Sequence, residues 1–263
     1  MTTEWAFPPL TTQLQFDEAW AFVGKKEANC DRTDHADDHK GDYWDHVAFD
    51  PESRLVLEVV PGARTIENTE TLVANARRRT GERIMDLLTS DDYPAYETAI
   101  RHAYGKTVTP PRTGQPGRPK ASFQEVPAEL NYAVVEKTRA KGRVIKVSSR
   151  VVFGTAGAVA RAVGMSKVSR AINTSFLERE NATARHRNAR KARKTYRFSK
   201  DHRFHEAATY FTMYSYNFCW AVRTLRVKDD QGHWVARSPA MAAGLTDHLW
   251  SIGEWLSSPV VQR

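Results

Sequence analysis

The sequence of 263 residues predicts an α/β fold in which a mixed sheet is covered by helices. The chain opens with strand patterns, two of them form a hairpin across the turn "DPES", and strand and helix patterns alternate afterwards. An antiparallel start followed by strand–helix alternation builds a sheet with both kinds of pairing. Because 41% of the residues are hydrophobic, the chain can bury a core, as one domain with an insertion or as two small domains.

The strand patterns are rich in apolar, β-branched and aromatic residues. In the first of them the apolar residues share one parity, and Asp17 falls on the other. The predicted strands, in chain order, are 14–23, 44–50, 54–60, 84–92 and 143–154.

The helix patterns are marked by their ends. Thr65 can cap the first helix and Gly81 can end it, whereas Pro94 suits the first turn of the second. The third has helix as its default because it lacks Pro and Gly. The predicted helices, in chain order, lie within 61–81, 93–105, 168–195, 203–225 and 238–258. The segment 106–142 begins with Pro, Gly and basic residues and is predicted to be an inserted linker.

The charge of the chain indicates an acidic partner. A formal net charge of +8 and a pI of about 9.5 favour nucleic acid. Two distant cysteines, Cys30 and Cys219, are too few for a disulfide framework and favour a reducing compartment. No secretory signal and no apolar run of roughly 18–20 residues is present, so the sequence predicts a soluble cytoplasmic protein.

Residues 179–200, here called the basic run, hold the densest charge. Its cations are Arg179, Arg185, Arg187, Arg190, Lys191, Arg193, Lys194, Arg197 and Lys200. On a helix, the cations from Arg187 to Lys194 recur every three to four residues and form a stripe. With no acid after Glu180, the run predicts sequence-independent contact with phosphates, and the alternative is a solvated charged face.

Three acids occupy positions that this architecture can bring together. Asp17 lies in the first strand, and Asp91 or its neighbour Asp92 ends the fourth. Glu178 lies near the start of a late helix. Carboxylate oxygens suit Mg²⁺ or Mn²⁺, and two such ions can activate a nucleophile and stabilise the leaving oxygen in phosphodiester displacement. The alternative is a solvated strand residue, a turn or helix cap, and an ion-pair partner for an arginine.

Three ordered motifs resemble a known family. They are "FDEAWAFVGKK", "TSDDYPAYE" and "FLERENATARHRNARKARKTYRFSK" followed by "YNFC", and over residues 14–226 they resemble the transposases of the insertion sequence 1 family. The resemblance implies a ribonuclease H-like catalytic domain whose Asp-Asp-Glu triad cuts and joins DNA strands with two Mg²⁺ (or Mn²⁺) ions. Matching the motifs places the catalytic and metal-binding acids at Asp17, Asp91 and Glu178, with Glu180 as the alternative third acid.

The resemblance also implies an organisation and partners. The expected division is a tail at 1–13, a catalytic domain in two parts at 14–105 and 143–226 around the linker 106–142, and a tail helix at 227–263. The basic run is expected to track the DNA of the element ends and target. A homo-oligomer in the bacterial cytoplasm, associated with the nucleoid, is expected, with a DNA-recognition head that a separate reading frame can encode. The rival functions are a non-catalytic DNA-binding remnant and a ribonuclease H-like nuclease without strand transfer.

Overall fold

The computed structural model describes residues 8–111, 120–192 and 194–258. Its strands are β1 Gln13–Val23, β2 Gly41–Asp50, β3 Leu55–Gly62, β4 Leu87–Asp91, β5 Lys106–Val108, β6 Phe123–Glu125, β7 Tyr132–Ala140, β8 Arg143–Phe153, β9 Val227–Lys228 and β10 Trp234–Val235. Its α-helices are α1 Ile66–Arg79, α2 Pro94–Tyr104, α3 Ala156–Met165, α4 Ser175–Arg187, α5 His202–Cys219, α6 Pro239–Ala242 and α7 Ile252–Ser257.

A six-stranded mixed sheet forms the centre of the fold, in the order β3-β2-β1-β4-β7-β8. The first three strands pair antiparallel, β1 and β4 and then β4 and β7 pair parallel, and β8 returns antiparallel to β7. Helices flank this sheet, an arrangement consistent with a ribonuclease H-like α/β fold. The predicted fold class is confirmed.

The two faces of the sheet are covered by different helices. Leu14 and Phe16 of β1 are fully buried in a core that α1 and α2 complete. On the other face Val47 of β2 packs with Leu177 of α4 and Met213 of α5. The alternation of side chains along a strand therefore sends odd-numbered β1 residues, Asp17 among them, toward α4.

Local signals placed the early helices correctly. The Thr65 hydroxyl accepts a hydrogen bond from the Asn68 amide at 3.2 Å, as a helix cap does. Pro94 opens α2 and Gly105 follows its last residue, so this helix matches its predicted bounds.

The linker prediction is wrong for much of 106–142. Within its described residues, β5 pairs with β6, and β7 is a central strand of the main sheet. Composition misled the prediction because only residues 132–135 of β7 are buried, and the basic remainder extends into solvent. Residues 112–119 of this segment lie outside the described residues.

Two later helix predictions are too long. Within 168–195 helix is confined to α4, which ends at Arg187. Residues 188–192 and 194–200 form turns, bends and, at Ser199, a parallel β-bridge to Val23. In the tail, the β9–β10 ladder and two short helices replace the single predicted helix. Among the described residues, no helix combines the length and apolar composition that crossing a membrane requires.

Candidate active site

An acidic cleft opens where β1 and β4 separate. Their parallel pairing covers only Gln13–Phe16 and Leu87–Ser90, so Asp17 is the first β1 residue beyond it. β4 ends at Asp91, one residue after its last partner in β1. The cleft encloses about 1010 Å³, and both aspartates line it together with Glu178 of α4. The structure thus brings all three sequence-predicted acids to one cleft.

The carboxylates of Asp17, Glu18 and Asp91 form a close group in the cleft. One oxygen from each lies within 4.8 Å of the others. Sequence reasoning missed Glu18, whose parity directs it to the face of the sheet opposite Asp17. Its side chain reaches the same edge nevertheless, where Oε2 accepts a hydrogen bond from Arg64 at 3.0 Å. The adjacent acids "DE" were the only signal for it.

Glu178 lines the cleft at the first turn of α4 but lies outside this close group. Its Oε1 pairs with the Lys137 ammonium and accepts the Thr174 hydroxyl at 2.9 Å. Of the alternatives left open by the sequence, Glu180 is buried beside Arg187 away from the cleft lining. Asp92 lines the cleft and pairs with Arg150 at 3.1 Å, so Asp91 is the member of the close group.

A row of polar side chains on β1 docks α4 beside the cleft. The Gln15 amide nitrogen donates to the Asn173 carbonyl at 2.8 Å, and its oxygen accepts the Leu177 amide at 3.0 Å. Further along β1, Oδ2 of Asp17 accepts a hydrogen bond at 3.0 Å from Nδ2 of Asn181 in α4. These bonds fix the helix that carries Glu178 relative to the strand that carries Asp17.

The crowded carboxylates resist ionisation. Burial, then the charges of Asp91 and Glu18, raise the pKa of Asp17 to about 7. Burial also raises the pKa of Glu18 and of Asp91. For Glu178, burial acts to raise the pKa, but hydrogen bonds from Lys137 and Thr174 outweigh it and lower the pKa. Three carboxyls of the cleft therefore have raised pKa values, whereas the pKa of Glu178 is lowered.

Three buried oxygens at this site accept no hydrogen bond from the described residues. They are Oε1 of Glu18, Oδ1 of Asp91 and Oδ1 of Asn181, whose side-chain nitrogen donates to Asp17. A buried acceptor without a donor costs free energy unless water or a cation satisfies it. The donor set, carboxylates with an amide oxygen, is that of a hard divalent cation.

The structure separates the cations of the basic run by depth. Arg187 pairs with Glu180 and Lys191 pairs with Asp45, and these two cationic side chains are 10% and 6% exposed. Because α4 ends at Arg187, the predicted helical stripe of cations is wrong. Arg185 lines the cleft. The exposed cations of the run are Arg179, Arg190, Lys194, Arg197 and Lys200, and Arg193 lies outside the described residues.

The cleft is also lined by cations that were not predicted from the sequence. Arg64 lies over the Tyr93 ring at 4.0 Å and donates to Glu18. Lys137 and Arg139 enter from β7. The signal for the β7 cations was an alternation of basic residues at every second position of "KTRAKGR", which is the period of one strand face.

The cleft and sheet together define an α/β protein with a cluster of carboxylates ringed by cations. A scan against models of protein families found no match for the chain. A search of curated proteins returned no match either.

Proposed function

We propose that the chain is a DNA transposase that cleaves DNA strands and joins them in the acidic cleft with the help of divalent cations. The observation that carries the proposal is the convergence of Asp17, Asp91 and Glu178 on one cleft at the carboxyl end of β4. These side chains come from two strands and a helix widely separated in the sequence. The motifs that resemble insertion sequence 1 transposases centre on the same three acids.

The residues present fit Mg²⁺ or Mn²⁺. Asp17, Glu18 and Asp91 offer oxygens within 4.8 Å of one another, and Oδ1 of Asp91 lacks a donor among the described residues. Asp17 and Asp91 would hold the metal, with Glu178 or Glu18 completing its ligands. Bound there, the metal ions would activate the attacking oxygen and stabilise the leaving one.

The remaining residues of the cleft bind and orient. Arg64 is held by Glu18 and by the Tyr93 ring, so its charge is fixed at the rim. Lys137 lowers the pKa of Glu178, and Arg139 adds a second cation beside it. Together these cations favour the binding of a phosphate, which the carboxylates of the cleft would otherwise repel.

Plasmid nicking in Mg²⁺ tests the proposal. We expect Asp17→Asn, Asp91→Asn and Glu178→Gln each to slow nicking by about a thousandfold or more while DNA affinity is retained. Glu129→Gln, which changes an exposed acid in a turn, is the matched control and should nick normally. We expect Glu18→Gln to slow nicking by about 10–100-fold, because it removes one carboxylate of the close group and the charged partner of Arg64.

The products separate the rival functions. Joining of labelled element ends to a target duplex is expected of a transposase, and nicking without joining would instead indicate a nuclease. Nicking that persists in all of the single variants at Asp17, Asp91 and Glu178 would contradict the site. DNA binding with no metal-dependent cleavage would leave a non-catalytic remnant.

A further inference from the structure

The β7–β8 hairpin, defined here as residues 136–150, projects from the sheet beside the acidic cleft. β4 pairs with β7 only as far as Val135, so the rest of β7 pairs with β8 alone. The five residues 136–140 extend ~16 Å beyond β4 at about 3.3 Å per residue. Lys141 and Gly142 close the turn with φ values of 49° and 77°, as a two-residue hairpin turn of the I′ type requires.

This hairpin is strongly cationic. It contains one acid, Glu136, and six cations, namely Lys137, Arg139, Lys141, Arg143, Lys146 and Arg150. Lys137 pairs with Glu178, and Arg150 pairs with Glu136 and Asp92. The four other cations are exposed, and within the described part of the chain no acid lies at ion-pair distance from them.

One face of the hairpin combines cations with exposed apolar side chains. Register places Lys137 opposite Val147 and Arg139 opposite Val144, so these four share a face. Val144 is 44% exposed and Val147 61% exposed. Ile145, unpaired at the bulge between them, is 64% exposed. Cations that bind phosphates and methyl groups that contact sugars and thymines are both suited to a DNA groove.

We propose that the β7–β8 hairpin is a DNA-binding arm that holds the duplex next to the bond cut in the cleft. Arg139, Arg143 and Lys146 contact phosphates, and Val144 and Ile145 face the groove, whose width admits a two-stranded ribbon. Lys137, Thr138 and Arg139 line the cleft itself, so one continuous surface joins the arm to the site. The location rests on the proposed function, since the cleft is taken as the place of cutting.

Charge favours DNA over a second copy of the chain as the occupant. β8 is an edge strand, and edge strands can pair with another chain. Pairing two copies along β8 would bring Arg143 and Lys146 of each toward the other hairpin's unpaired cations. Like charges across such an edge oppose pairing, whereas a duplex supplies one phosphate charge about every 1.7 Å.

Binding of a fluorescein-labelled duplex, measured by anisotropy in EDTA at several salt concentrations, tests the arm without catalysis. We expect Arg139→Gln/Arg143→Gln/Lys146→Gln to lower affinity about tenfold or more and to reduce the slope of log K against log salt by about 3. The matched control is Arg223→Gln/Arg226→Gln/Lys228→Gln, which removes two Arg and one Lys from exposed positions outside the lining of the cleft. Its slope should change by less than about 1.

A second measurement does not depend on charge removal. Ile145→Cys, in a Cys30→Ser/Cys219→Ser background and labelled with an environment-sensitive fluorophore, should change emission as duplex binds. The half-saturation should match that of the anisotropy curve. A fluorophore emission that does not change when duplex is added would overturn the proposal.

Unchanged affinity and salt slope in the hairpin triple variant would also overturn it, whatever the control triple variant does. The proposal would also be overturned if light scattering showed that the wild type is a dimer and the hairpin triple variant a monomer, with the same DNA affinity in both. Because binding is measured in EDTA, failure of nicking counts against the proposed function alone.

Discussion

The basic run and the β7–β8 hairpin are both rich in cations, but the run buries two of them. In the run, Arg187 and Lys191 are almost completely buried, and each is paired with a buried acid. In the hairpin, Arg139 and Arg143 are exposed and no described acid pairs with them. A buried cation that is paired with an acid is not available to bind a phosphate. An exposed, unpaired cation releases counterions from DNA when it contacts a phosphate. The densest charge in a sequence therefore need not mark its nucleic-acid surface.

The carboxylates beside these two regions differ in their pKa values. Burial acts to raise the pKa of Asp45 in β2, but Lys191 and His205 outweigh it and lower the pKa to about 2. Burial and two neighbouring acids raise the pKa of Asp17 to about 7. The ion pair with Lys191 thus lowers the pKa of Asp45, whereas in the cleft beside the hairpin neighbouring acids raise the pKa of Asp17.

The largest effect is expected from breaking the buried pair of the run. Lys191→Met leaves Asp45 buried without its main cation, and we expect the free energy of unfolding to fall by about 3–5 kcal/mol. Urea denaturation at pH 7 measures it. Asp45→Asn/Lys191→Met should recover most of the loss, because no charge then remains unpaired. Arg139→Gln in the hairpin should leave the melting temperature within about 2 °C, and an equal loss there would break the comparison.

The second effect concerns pH. The pKa of Asp17 is higher in the fold than its ordinary 3.8, so the metal-free protein should be most stable below about pH 4 with respect to this group and lose that stability as pH rises to about 7. Asp17→Asn should remove this loss and stabilise the metal-free protein at pH 8 by up to about 4 kcal/mol. Part of the slope will persist because Glu18 and Asp91 also have raised pKa values.

Melting in EDTA between pH 3 and pH 8 measures this second effect. Mg²⁺ should raise the melting temperature of the wild type at pH 8 but have little effect on Asp17→Asn. Asp45→Asn is the contrasting variant. The lowered pKa of Asp45 stabilises the fold above about pH 4 and this contribution disappears as pH falls toward 2, so its variant should be destabilised at neutral pH. A difference in stability between the wild type and Asp17→Asn that does not grow from pH 4 to pH 7 would contradict the assignment for Asp17.

A smaller effect is expected at the base of the hairpin. Lys137→Met removes the cation that lowers the pKa of Glu178, so the acidic limb of the nicking profile should move to higher pH. Lys146→Met makes the same change further along the hairpin. It should weaken DNA binding without moving the profile. Identical pH profiles for wild type and Lys137→Met would separate Glu178 from the chemistry.

The smallest effect compares two lysines of left-handed backbone. Lys141 in the hairpin turn has φ of 49°, and Lys194 in the run has φ of 54°. Asn tolerates this conformation better, so either Lys→Asn change should raise the melting temperature by about 1–2 °C. Only Lys141→Asn should weaken duplex binding, by about two- to threefold. An equal loss of affinity in both variants would remove the distinction between the regions.

Much of the fold follows from patterns that are local in the sequence. The strand alternation of β1 placed Asp17 on the face that α4 covers, and the run ending at Asp91 placed that acid at a strand terminus. Glu18 escaped notice because parity puts it on the opposite face, and only the separation of β1 from β4 lets its side chain reach the same cleft. β7 escaped notice because its second half is as polar as a linker.

Composition and residues a few positions apart were enough to predict the net charge, the caps of the early helices and the succession of strands along the chain up to β4. With the family resemblance they were also enough to select the candidate acids. The depth of each cation was not specified in that way. Asp45 and Lys191 stand 146 positions apart, and Asp17 and Asn181 stand 164 apart. Local conformation depends on neighbouring residues, whereas burial and ion pairing depend on which distant segments the sheet brings into contact. Packing therefore buried two cations of the run, Arg187 and Lys191, beside acids and left four cations of the hairpin exposed.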